Sequence, residues 1–430
     1  MSLKMKTSKK QFWTALCGTI VATIPIAAQR QVIIANEAPN SIVMVSSDNA
    51  GNELIEVMNT SQLPHVHDPQ IPRFILTDRE GNFALGIGGY VRTVASYDFD
   101  GLVNNIDFIP AAIPNHSPFG NQIQMDATTA NIFLKLVGTS PILGDFIVHT
   151  EGNFRGNGNT FKLRNAYLSF SGLTLGYTYG GFMDAAAMPA TIDFQGPNGG
   201  AFYRATQIAY LCDAVDNFRF NLSVEMPQVN GSTNNIFQIG RQRMPDFTAF
   251  AQYNWENNSH IRLGGLIRSM TYTFTESQKT NDALGYGVQA STTFAAGPVR
   301  MFGQLTYGKG IGQYLNDLGD LNVDLVIDPQ NAEKMQVLPM MGWYAGAQYN
   351  ISPNLFVSGT YSMARLYSEN DYQETAPTDY HYGQYLAGNV FWNASNELQF
   401  GVEYLHGWRT NFDQSDKQAN RINLMAKYSF

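Results

Sequence analysis

The chain ends with RINLMAKYSF (residues 421 to 430), and this stretch decides the fold class. Apolar residues alternate with residues of the opposite face, the apolar set being Ile422, Leu424, Ala426, Tyr428 and Phe430. A period of two predicts a β-strand with one apolar face. That face points to the core of a soluble sheet but to lipid in an outer-membrane barrel. A terminal Phe after such alternation is typical of the signal that the barrel-assembly machinery binds, so we expect Phe430 to act as an assembly signal.

Composition favours the barrel over a nucleic-acid-binding protein. The 430 residues include 39 Gly, 13% aromatic residues and only 14% charged residues, a set that suits transmembrane strands. The formal net charge of -8 offers no basic surface for DNA or RNA. We therefore expect no nucleic-acid partner.

The first residues have the pattern of a secretory signal. Four lysines precede an apolar stretch from residue 12 to 26, and Ala27 and Ala28 follow it, which predicts a signal peptide over residues 1 to 28. The apolar stretch is shorter than the roughly 20 residues of a membrane-spanning helix. Removal of Cys17 with the signal would leave Cys212 without a disulfide partner. Residues 29 to 80 are polar and Asn-rich, which indicates a periplasmic extension or linker before a transmembrane β-barrel of residues 81 to 430.

Strand patterns in this last region predict an all-β, antiparallel barrel of about sixteen strands. Every second connection is short and the others are mostly long, as in outer-membrane barrels whose termini both lie on the periplasmic side. Sixteen strands leave an aqueous interior, whereas about eight would fill it with side chains. The predicted spans are 83 to 98, 122 to 137, 144 to 155, 161 to 171, 173 to 183, 201 to 212, 218 to 227, 245 to 255, 260 to 274, 283 to 296, 299 to 309, 334 to 351, 355 to 367, 380 to 393, 397 to 411 and 418 to 430.

Basic residues recur on the strand face opposite the lipid-compatible one, and these are our candidate pore-lining residues. A slip of one residue would reverse any single assignment. Two interpretations stay open for each: it contacts the solute, or it is structural and pairs with an acid or a Tyr across the wall. The candidates are Arg262, Arg268, Arg300, Arg204, Lys162, Arg164, Arg365, Arg409, Arg421 and Lys427.

Acidic residues concentrate in the long connections, where we expect them to be solvated. Loop carboxylates could instead hold Ca²⁺ or Mg²⁺ beside lipid head groups, but their spacing lacks the Gly that a calcium loop requires. We therefore expect no metal and no cofactor. The acidic residues in question are Asp317, Asp320, Asp324, Asp328 and Glu333, and Glu369, Asp371, Glu374 and Asp379.

The segment GGFMDAAAMPATIDFQGPNGGAFYR (residues 180 to 204) is apolar where the other long connections are polar. An exposed loop would not display so many apolar side chains, so we expect this one to fold into the barrel and narrow it. The alternative is a subunit contact over the rim. The candidate constriction residues are Phe182, Met183, Asp184, Met188, Pro189, Asp193, Phe194, Gly196 and Pro197.

Several stretches resemble the DcaP-like porins: GIGGYVRTVASYDFDG (86 to 101), NTFKLRNAYLSF (159 to 170), FMDAAAMPATIDFQGPNG (182 to 199) and MPDFTAFAQY (244 to 253). The resemblance implies a trimeric barrel of sixteen strands, with the 182 to 199 motif at the constriction and uptake of small organic acids in some members. Members often carry an N-terminal heptad segment, which residues 30 to 70 lack.

Together these features predict a porin in the outer membrane of a Gram-negative bacterium, with a periplasmic N-terminus. We expect passive diffusion of small hydrophilic solutes, with a preference for small anions such as carboxylates. The expected partners are outer-membrane lipid, lipopolysaccharide, the barrel-assembly machinery and further copies in a homotrimer. Alternatives are a barrel enzyme of the phospholipase or protease type and a structural or adhesive barrel. The seven His offer no recognised catalytic motif, so we expect no enzyme.

Deleting Phe430, or replacing it with Asp, should impair insertion into the outer membrane, because the change removes the last apolar position of the terminal strand. The measurement is the amount of folded, heat-modifiable protein in outer-membrane fractions. Substitution of Ser429, on the other face of the same strand, is the control. Parental levels of folded protein in the Phe430 variants would contradict the prediction.

Overall fold

The computed structural model describes residues 82 to 430, together with Val43, Met44, Pro72 and residues 74 to 77. The predicted signal peptide, with Cys17, lies outside the described residues, as does most of the predicted extension. Among the described residues, no helix has both the length and the apolar character needed to cross a membrane.

Sixteen antiparallel strands form a closed sheet, which confirms the predicted fold class. Each strand pairs with the next along the chain, and the last pairs with the first over ten residue pairs from Asn420↔Phe99 to Ser429↔Tyr90. The strands are β1 (Phe83–Phe99), β2 (Asn131–Ser140), β3 (Gly144–Asn153), β4 (Lys162–Phe170), β5 (Leu173–Tyr179), β6 (Arg204–Val215), β7 (Phe218–Glu225), β8 (Asp246–Asn254), β9 (His260–Phe274), β10 (Lys279–Ala296), β11 (Val299–Lys309), β12 (Pro339–Ser352), β13 (Leu355–Leu366), β14 (Tyr380–Asn393), β15 (Leu398–Asn411) and β16 (Asp416–Ser429).

The strands carry apolar side chains outward and polar side chains inward. In β16, Leu424 is 54% exposed while Lys427, on the other face, is 5% exposed. In β7, Phe220 and Leu222 are exposed while Glu225 is fully buried. Since a soluble protein would bury the apolar face, this arrangement is that of a barrel surrounded by lipid.

Connections at one end of the barrel, the turn rim, are all short: 141 to 143, 171 to 172, 216 to 217, 255 to 259, 297 to 298, 353 to 354 and 394 to 397. The other end, the loop rim, carries five long loops: L1 (100 to 130), L3 (180 to 203), L4 (226 to 245), L6 (310 to 338) and L7 (367 to 379). It also has three short connections: 154 to 161, 275 to 278 and 412 to 415.

Two predicted strands are interrupted. The span 122 to 137 consists of a short strand, Gln122–Asp126, a turn at residues 127 to 130, and then β2. The carboxylate of Asp126 accepts the N–H of Thr128 at 2.8 Å and so stabilises that turn. The span 334 to 351 also breaks, because Asn331–Gln336 pairs with Leu325–Asp328 in a small separate sheet before β12 begins at Pro339.

The predicted linker also contributes to the barrel sheet. Residues Phe74–Thr77 pair with β1 from Ala84 to Ile87. They pair with the same edge of β1 as β16 does, one after the other along that edge. Between the two segments, Gly89 and Phe430 exchange two backbone hydrogen bonds of 2.9 Å.

Three loops, L1, L3 and L6, fold into the barrel and form its hydrophobic core. One cluster joins Phe182 and Tyr203 of L3 to Ile311, Tyr314 and Leu315 of L6. A second packs Phe108 and Ile113 of L1 against Tyr385 and Leu405 of the wall. Only the inward folding of L3 was anticipated from the sequence.

The expectation that the L6 carboxylates are solvated is wrong for two of them. Asp317 is 2% exposed and Asp324 is 1% exposed. The reason is their apolar neighbours, since Leu315, Leu318 and Val323 draw this part of L6 into the core.

Candidate functional site

Inside the barrel, residues 182 to 199 of L3, here called the inner loop, lie against the wall from β9 round to β1. The ring of Phe182 packs directly against Gly287 of β10. A Cβ added at Gly287 would lie only 2.9 Å from the Cζ atom of that ring. The hydroxyl of Tyr344 on β12 donates to the carbonyl of Ala187 at 3.0 Å, and that of Ser358 on β13 donates to Ala190 at 2.7 Å. These contacts place the loop inside the barrel and not over its rim.

Asp184 anchors the start of the inner loop. Its carboxylate accepts hydrogen bonds from His260 Nε2 at 2.8 Å and Ser291 Oγ at 2.6 Å, and Arg262 lies at 3.6 Å. Burial opposes the charge, but Arg262 and then His260 outweigh it, so the pKa of Asp184 falls below its ordinary value. The anchor is therefore ionised and its hydrogen bonds are charge-assisted.

Glu403 of β15 holds the middle of the inner loop through backbone groups of the loop. Its two carboxylate oxygens accept the N–H groups of Ile192 at 2.8 Å and Asp193 at 2.7 Å. The guanidinium of Arg92 on β1, two strands away in the closed sheet, donates to the carbonyl of Ile192. One peptide segment is thus fixed by an acid and a base from different strands.

Asp193 connects the inner loop to L1. Its carboxylate accepts the N–H of Phe108 in L1 at 2.9 Å and the N–H of Gly196 in its own loop at 3.1 Å. Burial, and then the nearby carboxylates of Asp107 and Glu403, raise the pKa of Asp193 well above its ordinary value. Asp193 therefore takes up a proton more readily than an exposed aspartate.

Glycines allow the loop to approach the wall closely. Gly199 donates its N–H to Ser362 Oγ at 2.9 Å, next to Gly342 of β12. A Cβ on Gly342 would overlap the carbonyl oxygen of Gly199. The backbone-to-backbone contact therefore requires glycine at position 342.

Three arginines surround the ring of Phe194, which the inner loop presents to the interior. The guanidinium carbons of Arg155 and Arg164 lie 5.0 Å from the ring centre, and that of Arg92 lies 6.0 Å away. Arg155 is neutralised by Asp107 at 2.6 Å and Asp126 at 2.8 Å. In the described part of the chain, no carboxylate lies within ion-pair distance of Arg92 or Arg164.

Arg204, at the start of β6, lies beside this group. Its guanidinium stacks on Tyr179 at 4.1 Å and on Phe202 at 4.7 Å, and it donates to the Tyr179 hydroxyl at 2.6 Å. It is close enough to Arg164 and Glu151 to interact with both electrostatically.

Three other candidates tie the inward loops to the wall. Arg268 is fully buried between Asp246 at 3.3 Å and Asp324 of L6 at 3.4 Å. Arg421 pairs with Asp98 and donates to the L1 carbonyls of residues 105 and 106. Arg409 donates to the L1 carbonyls of residues 111 and 113. For these three, the contacts favour the structural interpretation.

The remaining basic candidates are divided among the interior, the rims and the outer face. Arg262 donates to Gln252 and to the Met183 carbonyl, both at 2.8 Å. Lys427 is buried 5.8 Å from the centre of the Tyr90 ring. Arg300 is half-buried next to the turn at 297 to 298, and Lys162 is exposed at the loop rim.

Arg365 was predicted to line the pore, but it lies on the outward face of β13. Its neighbours Ala364 and Leu366 are fully buried, so the inward face of β13 carries the even-numbered residues. Arg365 is on the other face, where it lies 3.2 Å from His381 and stacks on Tyr367 at 4.8 Å. A phase shift of one residue accounts for the difference.

The predicted constriction residues all lie inside the barrel. Most are buried, while Met188 and Phe194 are partly exposed to the interior. Sequence reasoning missed Arg92, although the alternation of β1 with Tyr90 and Val94 on the same face contains the signal. Arg155 lies in the connection between β3 and β4, so the alternation of residues along a strand could not predict that it faces the interior.

In the part of the chain that the structure describes, no three His, Cys, Asp or Glu side chains are grouped so as to hold a metal ion. The site offers instead charged and aromatic side chains on the inner loop and on the parts of the barrel that face it. A closed barrel of sixteen strands, with an apolar belt outside and a polar interior crossed by a loop, is the architecture of an outer-membrane porin.

The family model of the DcaP outer membrane protein matches residues 80 to 430, and the chain belongs to that family. It is thus a passive outer-membrane channel and not an enzyme, which confirms the resemblance found in the sequence. No curated protein sequence matches it.

Solved structures share the fold. The outer membrane channel DcaP of Acinetobacter baumannii is 22% identical, with a TM-score of 0.72 over 82% of this chain and 99% of that one. OmpT of Vibrio cholerae is 12% identical, with a TM-score of 0.51 over 83% of this chain and all of that one. An anion-selective porin from Comamonas acidovorans is 11% identical, with a TM-score of 0.52 over 81% of this chain and all of that one.

Replacing Gly342 by Ala should loosen the inner loop, because the added methyl overlaps the Gly199 carbonyl. We expect a loss of about 1 to 3 kcal/mol, the usual cost of overpacking, measured as a lower temperature for the loss of heat-modifiable folded protein. Gly388→Ala is the matched control, since a Cβ there meets nothing within 4 Å. Equal unfolding temperatures for the two variants would show that the loop does not depend on this contact.

Proposed function

We propose that this channel favours small organic anions, carboxylates in particular, and that the inner loop forms its constriction. The observation that carries the proposal is the arginine group around Phe194. Arg92 and Arg164 have no carboxylate partner in the described part of the chain, and Arg164 is partly exposed to the interior. An anion passing Phe194 meets the guanidinium of Arg164, to which no described carboxylate is directly bonded, although Glu151 acts on it from farther away.

The acids inside the barrel are mostly committed to other contacts. Asp107 and Asp126 are paired with Arg155, Asp98 with Arg421, and Asp184 with Arg262 and His260. We infer that the local charge near Phe194 is less negative than the formal net charge of -8 suggests. At physiological salt the Debye length is about 8 Å, so exposed loop carboxylates farther away are largely screened.

Arginine geometry suits carboxylate solutes. A guanidinium can hold a carboxylate by two parallel hydrogen bonds, and a stacked guanidinium keeps its edge free for them. Arg164 and Arg204 both stack on aromatic rings. Neighbouring weak sites pass an ion onward, whereas one tight site would trap it.

We further propose that the channel is a homotrimer. OmpT of Vibrio cholerae in its trimer form has a TM-score of 0.50 and 10% identity over 81% of this chain and all of that one. The anion selectivity of the Comamonas acidovorans porin agrees with the solute class proposed here. Contacts of this chain with lipopolysaccharide and with the barrel-assembly machinery stay predictions.

Replacing Arg164 by Gln should lower the ratio of chloride to potassium permeability by up to about tenfold. A unit charge about 6 Å from a passing ion contributes on the order of 0.7 kcal/mol in a water-like dielectric. This energy favours chloride and disfavours potassium, so the ratio depends on about 1.4 kcal/mol. The measurement is the reversal potential of single channels across a KCl gradient.

Arg365→Gln is the matched control, because it removes the same charge from the outer face of the barrel. We expect parental selectivity for it. A cation-selective parent channel, or an Arg164→Gln channel with unaltered selectivity, would reject the anion proposal while leaving the fold intact.

Electrophoresis in mild detergent without heating should show a band at the mass of three chains, which boiling converts to one chain. The wide barrel and the trimeric relative motivate this expectation. A protein that migrates only as a folded monomer at high concentration would contradict the trimer.

A further inference from the structure

Four neighbouring strands, β12 to β15, turn toward lipid an apolar face that contains one permanent charge. The outward residues of β13 are Leu355, Val357, Gly359, Tyr361, Met363 and Arg365. At the positions of β12, β14 and β15 that lie level with them, there is no Asp, Glu, Lys or Arg. A charge on the lipid face is unfavourable in the middle of the hydrocarbon layer and nearly neutral at its edge. The height of Arg365 therefore decides what it can meet.

Arg365 lies at the edge of the apolar belt that is nearer the loop rim. Ten positions separate it from Leu355, which corresponds to about 23 to 27 Å of height at about 3.3 Å per residue and a tilt of roughly 35 to 45°. The apolar band of such barrels is about 25 Å tall and has a girdle of aromatic residues at each edge. Leu355 pairs with Trp392, which stacks on Phe400, and Arg365 pairs with Tyr382. Arg365 is therefore level with the head groups of the outer leaflet.

Aromatic side chains hold the guanidinium of Arg365 in place. Its carbon lies 4.8 Å from the ring centre of Tyr367 and 5.8 Å from that of Tyr382. Its Nη2 donates to Nε2 of His381 at 3.2 Å, since a guanidinium cannot accept a hydrogen bond. The ring of Phe412 stacks on His381, with centres 4.8 Å apart. These five side chains are here called the girdle cluster.

The positive charge of the girdle cluster is not neutralised by a nearby acid. In the part of the chain that the structure describes, no carboxylate lies within ion-pair distance of Arg365. Its Nε also has no hydrogen-bond partner there. By contrast, Lys309, one outward position higher on the same face, donates to both carboxylate oxygens of Glu369 at 2.8 and 2.6 Å. The girdle cluster thus has a positive charge and N–H groups left over for an external anion.

We propose that the girdle cluster binds a phosphate of the lipid A part of lipopolysaccharide in the outer leaflet. Arginine suits a phosphate because its planar fork can donate two parallel hydrogen bonds. Below the cluster, Leu386 and Val390 are 39% and 46% exposed on β14, and acyl chains of the same lipid cover such a surface. The position at the loop rim selects lipid A over other phosphates, because this end of the barrel faces the outer leaflet. This surface lies outside the pore, so the proposal does not depend on which solute passes.

Native mass spectrometry of the full-length protein in detergent, titrated with hexa-acylated lipid A that carries both phosphates, tests the proposal. Arg365→Gln should weaken the binding of lipid A at one site per chain by about tenfold, because a charge-assisted contact is lost. Arg365→Lys, which keeps the charge but not the two parallel bonds, should fall between this variant and the parent. Arg241→Gln is the matched control, since it makes the same change at an exposed arginine of L4, between β7 and β8. We expect parental binding for it.

Three further ligands identify what the site recognises. Lipid A from which both phosphates have been removed should bind the parent and the Arg365→Gln variant equally. Inorganic phosphate at millimolar concentration should not displace lipid A, because it lacks the acyl chains. Phosphatidylglycerol, whose phosphate is a diester, should bind the parent more weakly than lipid A does. Heat modifiability confirms that each variant is a folded barrel.

Several results would overturn the inference. One is an Arg365→Gln protein that binds lipid A as tightly as the parent. Another is an Arg241→Gln protein that loses as much affinity, since the effect would then come from positive charge in general and not from the girdle cluster. Displacement of lipid A by inorganic phosphate, or equal affinity for phosphatidylglycerol, would assign the site to a different phosphate.

Discussion

Closure of the sheet by hydrogen bonds between β16 and β1 is the constraint on which the rest of the structure depends. A backbone group left unpaired in hydrocarbon costs several kcal/mol, so the sheet must return to its first strand. The terminal residue takes part, since Phe430 and Gly89 bond each other in both directions. Closure with sixteen strands leaves an interior too wide for wall side chains alone to fill. The loops L1, L3 and L6 fold inward because this space can accommodate them and bury their apolar side chains.

The loops inside are held mainly by buried charge. Arg268, Arg421 and Arg409 project from the wall to loop carbonyls and carboxylates, and Asp184 and Glu403 hold the inner loop. Removing one partner of such a pair would leave an uncompensated charge at a buried site with almost no exposure to solvent. Arginines that fix a loop therefore differ from arginines that can meet a solute. Arg164 belongs to the second group, since it is partly exposed to the interior and no described carboxylate lies within ion-pair distance of it.

The sequence predicts much of the fold because alternation and turn chemistry are local. The strand count, the turn rim and the inward path of residues 182 to 199 all follow from patterns within about ten residues. The partnership of Arg268 with Asp324 could not be predicted, since 56 positions separate them and only the packing of L6 brings them together. Arg365 was placed on the wrong face because period two has no absolute phase at a strand end. The arginine group at Phe194 combines β1, β4 and a connection, which no single pattern contains.

The wall holds the inner loop largely by its main chain. The carbonyls of Met183, Ala187, Ala190 and Ile192 and the N–H groups of Ile192 and Asp193 accept or donate most of the contacts described above. The side chain of Phe194, by contrast, is partly exposed to the barrel interior. A scaffold that holds peptide groups tolerates changes in such a side chain. Point mutations at position 194 could thus change which solutes a descendant of this gene admits without a new loop having to evolve.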